Sequence, residues 1–185
     1  MPTLTLRPNS DVSVAMSQYG SGTGNYGRIN ESTTDDTNGV STTNTEGVVD
    51  LYGLPDPSSP SGTINSVTVH FRARWTYTGI ILGQSYGTPQ VRIGGTTYSG
   101  KQQALTLSFV SYNRSWSTNP NTKSAWAWQN INDLVAGIRL NAGTYGDNKY
   151  PTLGEAYCSQ LWVVVDYNEP VANKLPAHLF FQGVR

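Results

Sequence analysis

The chain has 185 residues, of which only 13% are charged, with 12 basic against 12 acidic. That length suits one domain with its own core. A net charge of zero withholds the concentrated positive field that nucleic acid or an anionic membrane surface needs, so neither is expected as a partner. The single cysteine, Cys158, allows no intrachain disulfide and no cysteine-based zinc site. The fold is therefore expected to stand on its core, to which five Trp, eleven Tyr and four Phe bring large apolar area. No stretch reaches the length of a membrane span. The N-terminus lacks a basic segment followed by an apolar one, which predicts no signal peptide and synthesis in the cytoplasm.

Taken in order, Thr3–Leu6 alternates polar and apolar and meets Pro8, predicting a short strand and a turn. Residues 17–45 are rich in Gly, Asn, Asp and Thr and read as loops around short strands, one of them over 26–30. An apolar run follows over 47–53, then a Pro- and Ser-rich connector over 55–62. Thr63–Thr76 is the clearest strand. Ile64 leads into Val67, Val69, Phe71 and Ala73 at period two, while Thr68, His70, Arg72 and Arg74 face the other way. One wet and one buried face is the pattern of an antiparallel sheet. Residues 91–98 predict a hairpin, because Gly94 and Gly95 accept the positive φ angles of a primed turn. Residues 105–116 read as a further long strand with Leu105, Leu107, Phe109 and Val110 inward. Residues 119–122 form a turn, and 124–135 read as one short helix, with Trp126, Ile131, Leu134 and Val135 near helical spacing. Strand resumes over 138–140 and again over 156–167. Strands broken by Gly and Pro turns, with a single short helix near 124–135, predict an all-β, antiparallel two-sheet sandwich over residues 1–167, followed by a C-terminal arm over 168–185.

Several segments then resemble a recurrent β-sandwich domain of phage and metagenomic virion-associated structural proteins. They are Leu4 to Asn9, Asp50 to Asp56, Gly62 to Val69 with Arg72 and Arg74, Gly94 to Gly100, and Thr118 to Thr122 with Trp126 and Trp128. The resemblance spans roughly residues 3–167. It implies a jelly-roll-like fold and a place in a phage or virus-like particle as a capsid decoration, tail or other minor structural subunit. The partners it implies are copies of the chain and other virion structural proteins, and it carries no catalytic residues.

The residues themselves offer few chemical constellations. His70 sits mid-strand on the polar face and His178 lies in the tail, with no second histidine at metal-ligand spacing. Asp35 and Asp36, before Asn38 and Gly39, are faintly like a calcium loop but lack its alternating ligands, and turn formation accounts for them. No cofactor is expected otherwise. Glu31, Glu46, Glu155 and Glu169 are scattered, with none of the local pairing of a glycosidase, so no enzyme is predicted. Exposed aromatic rings stack on the apolar faces of sugars, which makes Trp75, Tyr77 and Trp128 candidates for ligand stacking, against their simpler use as core. Glycan binding, or a place in a cellular pilus or surface filament, is thus the alternative to the virion role. The apolar patch Leu179, Phe180 and Phe181 in the Pro-punctuated arm is the candidate assembly contact.

Overall fold

The computed structural model describes residues 2–58, 61–77, 79–147, 149 and 151–170. In chain order the strands are β1 (Thr3–Leu6), β2 (Ser10–Ser13), β3 (Ser17–Tyr19), β4 (Gly39–Thr42), β5 (Val48–Gly53), β6 (Thr63–Thr76), β7 (Ile81–Gly83), β8 (Tyr86–Ile93), β9 (Thr96–Ser99), β10 (Gln103–Ala104), β11 (Val110–Trp116), β12 (Val135–Asn141), β13 (Thr144–Gly146), β14 (Pro151–Leu153) and β15 (Glu155–Asn168). A 3-10 turn (Tyr26–Arg28) precedes β4, and one short helix, α1 (Trp128–Asn132), precedes β12.

Two sheets carry the fold. One runs β11-β6-β15-β4-β3 with β1 also on β15; the other runs β10-β8-β12-β5-β2 with β9 also on β8. The pairings of β4 with β15, β5 with β12, β6 with β11 and β8 with β9 are all antiparallel. First thus meets last, second meets second-last, and so inward: one long hairpin rolled up, which is the jelly roll. Its strands alternate as the pleat requires. Val67, Val69, Phe71, Ala73 and Trp75 of β6 point into the core, where they meet Val91, Ile93, Ala136, Ile138 and Leu140 from the facing sheet.

A bulge in β15 sets which of its side chains join that core. Cys158 pairs with Ala73 and Gln160 with Arg72, leaving Ser159 as the extra residue. An uninterrupted pleat would put residues 158 and 161 on opposite faces. The bulge turns both inward, and Cys158 and Leu161 are fully buried. Asp36 holds it in place, accepting a 2.8 Å bond from the Ser159 hydroxyl.

Three expectations are corrected. Residues 26–30 are not strand: the Asp11 carboxylate accepts the Asn25 and Tyr26 N–H groups, and a side chain thereby replaces the ladder in a 3-10 turn. Residues 105–116 are not one strand, because the chain leaves one sheet at β10 and joins the other at β11. In between, the Leu105 N–H bonds Ser85 O and the Trp75 N–H bonds Thr106 O. Only Leu105 of the expected inward set is buried; Phe109 is half-buried, and Leu107 and Val110 are exposed. The helix is a turn and a half, not 124–135. Asn130 bonds back to the Ala127 N–H at its start, and Val135 already belongs to β12. A small third sheet, β14-β13-β7, was not expected and caps one end of the sandwich.

Candidate ligand-binding site

The three aromatic candidates separate. Trp75 is corrected to a core residue, at 2% exposure. Its ring edge lies against two backbones: a Cβ on Gly143 would stand 2.8 Å from it and one on Gly154 3.0 Å. Glycines at both positions let the ring be roofed over, so no ligand reaches it.

Tyr77 directly follows β6 and is half-buried, with one face on Trp75 (centroids 4.5 Å) and Tyr145 of β13 beyond at 6.2 Å and 46°. The two tyrosines line a hollow of about 240 Å³ together with Thr43, Thr76, Leu153 and Glu155. The hydroxyl of Tyr157 donates to Glu155 Oε2 at 2.6 Å and fixes that carboxylate. Burial, then this bond, raises the Tyr157 phenol above its usual range, so it stays a donor. Glu155 Oε1 has no hydrogen bond to a described residue. Alongside lies a hollow of about 450 Å³ that shares Thr43 and Leu153 and adds polar lining from Ser17, Asn44, Thr45 and Glu46.

Trp128 opens α1 at the far end of the sandwich. Its indole donates to Gly62 O at 2.9 Å, and it meets Tyr167 of β15 edge-on at 5.1 Å and 79°. These rings line a pocket of about 280 Å³ with Leu4, Pro57, Ser58, Ser61, Glu169 and Pro170. Trp126 differs: it is buried with its indole bonded to Trp116 O, whereas Trp128 is half-exposed.

The outer face of the β6–β15 sheet carries a second set of rings, but they are spent on one another. His70 lies flat on Trp162 (4.9 Å, 7°) and Arg7 covers Trp162 at 5.8 Å. With both faces taken, Trp162 offers no stacking platform. Burial in this stack lowers the His70 pKa, which favours the neutral ring. Arg72 forks onto Asp36 at 2.8 and 2.7 Å, and Arg74 lies between Phe109 and Tyr157 at 4.9 and 5.0 Å. The bond from Arg72 is the main cause of the low Asp36 pKa. Asp35 points elsewhere, accepting from Thr37 and Asn38, and its bonds to Thr37 lower its pKa. The two carboxylates considered for calcium are thus engaged separately, one by a guanidinium and one by its own turn. Among the described residues no group of three or more His, Cys, Asp or Glu side chains is placed to hold a metal ion. His178, Leu179, Phe180 and Phe181 lie outside the described residues.

Tyr145, Tyr167 and the positions of Glu155 and Glu169 beside aromatic rings had no signal in the sequence. Tyr145 reaches Tyr77 only because β13 pairs with β7, and Tyr167 reaches Trp128 only across more than thirty intervening residues of loop and strand.

No family model matches the chain, and no curated protein matches it. Among solved structures it is similar to "Family 16 Carbohydrate Binding Module-2" at TM-score 0.38 and 7% identity, over 73% of this chain and 82% of that one. It is similar to the CBM36-1 domain of a multidomain xylanase from the hindgut metagenome of Trinervitermes trinervoides, at TM-score 0.37 and 11% identity over 90% and 98%. A looser likeness is to the infectious bursal disease virus Gt strain, at TM-score 0.26 and 14% identity over 89% of this chain and 32% of that one. Each likeness is distant, and none carries a function across.

Proposed function

We propose that the domain is a non-catalytic carbohydrate-binding module that receives sugar in the Tyr77–Tyr145 hollow. The observation that carries this reading is the hollow's lining: two half-buried tyrosine rings, the Glu155 carboxylate and the Thr43 and Thr76 hydroxyls around about 240 Å³. Rings supply an apolar wall for the C–H face of a pyranose, and the oxygens accept or donate to its hydroxyls. A non-catalytic role is supported by the separation of the two glutamates that line the aromatic pockets. Glu155 begins β15 and Glu169 follows its end, so these two cannot flank one glycosidic bond. The test is calorimetry on the full chain with cellotriose, xylotriose, mannotriose and chitotriose. Tyr77→Ala and Tyr145→Ala should each weaken the sugar that binds by about tenfold, equivalent to about 1.4 kcal/mol. Unchanged affinity in both variants would sink the site.

A second reading is a self-assembling structural subunit of a phage or virus-like particle, located in the virion. The sequence resemblance favours it, and so do the exposed apolar side chains on and next to the capping sheet, with Ile80 74% exposed and Ile81, Leu82 and Leu153 also exposed. The C-terminal arm would add a contact between copies. Symmetric assemblies that weaken on deletion of residues 168–185 would support this role, and a chain that stays monomeric at high concentration would count against it.

A further inference from the structure

The two aromatic hollows stand at opposite poles of the sandwich. Tyr77 follows the last residue of β6, and Gly62, the acceptor for Trp128, precedes its first. Glu155 starts β15, while Tyr167 lies at its end and Glu169 just beyond it. Both strands have 14 residues, which separates the poles by about 40 Å at the rise of an antiparallel strand. The two sites are nevertheless built alike. Each has two aromatic rings, one glutamate and two small hydroxyl residues, around about 240 and about 280 Å³.

The Trp128 pole is held ready by its surroundings. The indole bond to Gly62 O fixes the plane of the ring, and the edge contact with Tyr167 sets the two rings as perpendicular walls. Around them, Ser58, Ser61 and Glu169 make no side-chain hydrogen bond to a described residue. A fixed apolar corner faced by hydroxyls and a carboxylate suits an uncharged polyhydroxylated ring.

We propose that the Trp128–Tyr167 pocket is a second sugar site, and that the domain is bivalent and links two glycan chains. This rests on the reading that the Tyr77–Tyr145 hollow binds sugar. One short oligosaccharide cannot span both poles, so each site engages its own chain, and linkage arises within a single subunit.

The experiment uses the full chain and whichever of the four trisaccharides it binds. Wild type should take up two per chain by calorimetry and should cloud a solution of the parent polysaccharide at intermediate ratios, clearing in protein excess. Trp128→Ala and Tyr77→Ala should each take up one and cloud nothing, with light scattering showing a monomer throughout. Glu169→Ala, at an exposed position that leaves the core untouched, should weaken only the second site by several-fold. One sugar per chain in wild type, lost in Tyr77→Ala and unaffected by Trp128→Ala and Glu169→Ala, overturns bivalency alone. Loss of all binding in Trp128→Ala with Tyr77→Ala unaffected overturns bivalency and the Tyr77 reading together, as does a wild type that binds none of the four sugars.

Discussion

At the scale of single residues, the most consequential side chain inside the sandwich is polar. Asp50 is fully buried on β5 and accepts four bonds: from the Ala15 N–H (2.6 Å), the Met16 N–H (3.0 Å), Asn25 Nδ2 (2.6 Å) and the Tyr52 hydroxyl (2.9 Å). It ties the chain after β2 and the 3-10 turn onto the second sheet. Asp50→Ala leaves the donors of Met16, Asn25 and Tyr52 buried without an acceptor and should cost about 3 kcal/mol or more, read as a lower urea midpoint. A variant within about 0.5 kcal/mol of wild type would show that water replaces the carboxylate. His70 gives a pH-dependent prediction. Its folded pKa lies below the ordinary 6.5, so the unfolded chain binds more protons in the window just beneath that value. Its contribution to stability is therefore complete above pH 6.5 and fades as the pH falls through the folded pKa. His70→Gln should show a smaller drop in urea midpoint between pH 7.5 and pH 5 than wild type does; equal drops would remove His70 as a source. Cys158 stays inert in the native chain, since burial pushes its thiol up to about 12.

At the scale of elements, legibility followed the strength of local periodicity. β6 was legible end to end, because five alternating apolar residues between polar neighbours leave no other way to bury one face. The β8–β9 turn was legible in Gly94 and Gly95, whose φ angles are 57° and 83°. The segment after β10 was misread because its apolar residues keep the strand period while the chain crosses between sheets. Nothing local distinguishes a crossover from a strand when the hydrogen-bond partners, Ser85 and Trp75, lie at least twenty residues away. α1 came out shorter than its pattern because pairing of Val135 with Gly53 and Arg92 on either side outcompetes another helical turn. Gly62 is the element boundary on which the Trp128 pole depends. Its φ is +98°, and a Cβ there would lie 1.9 Å from Asn168 O. Gly62→Ala should cost about 2 kcal/mol and shift Trp128 fluorescence, through strain and displaced backbone together. A variant of wild-type stability and spectrum would show that the loop relaxes freely.

At the scale of the whole molecule, the rolled hairpin joins β4 and β1 to β15 across most of the chain. Closing such loops must precede the contacts that reward them, so refolding followed by Trp fluorescence should take milliseconds to seconds. Submillisecond refolding would contradict dependence on these long-range pairs. The same topology makes the poles. β6 and β15 lie side by side over their full length, and every loop that enters or leaves them is gathered at one end or the other.

The sequence by itself determined the all-β class, the antiparallel sandwich, the two long strands β6 and β15, and a core that no intrachain disulfide braces. Those follow from period-two burial, turn chemistry and composition, which are local properties. The tertiary structure alone decided the rolled order of the strands, the capping sheet and the partners of Tyr77 and Trp128. Each of these depends on which distant strand supplies the neighbouring backbone, and no local pattern encodes that choice.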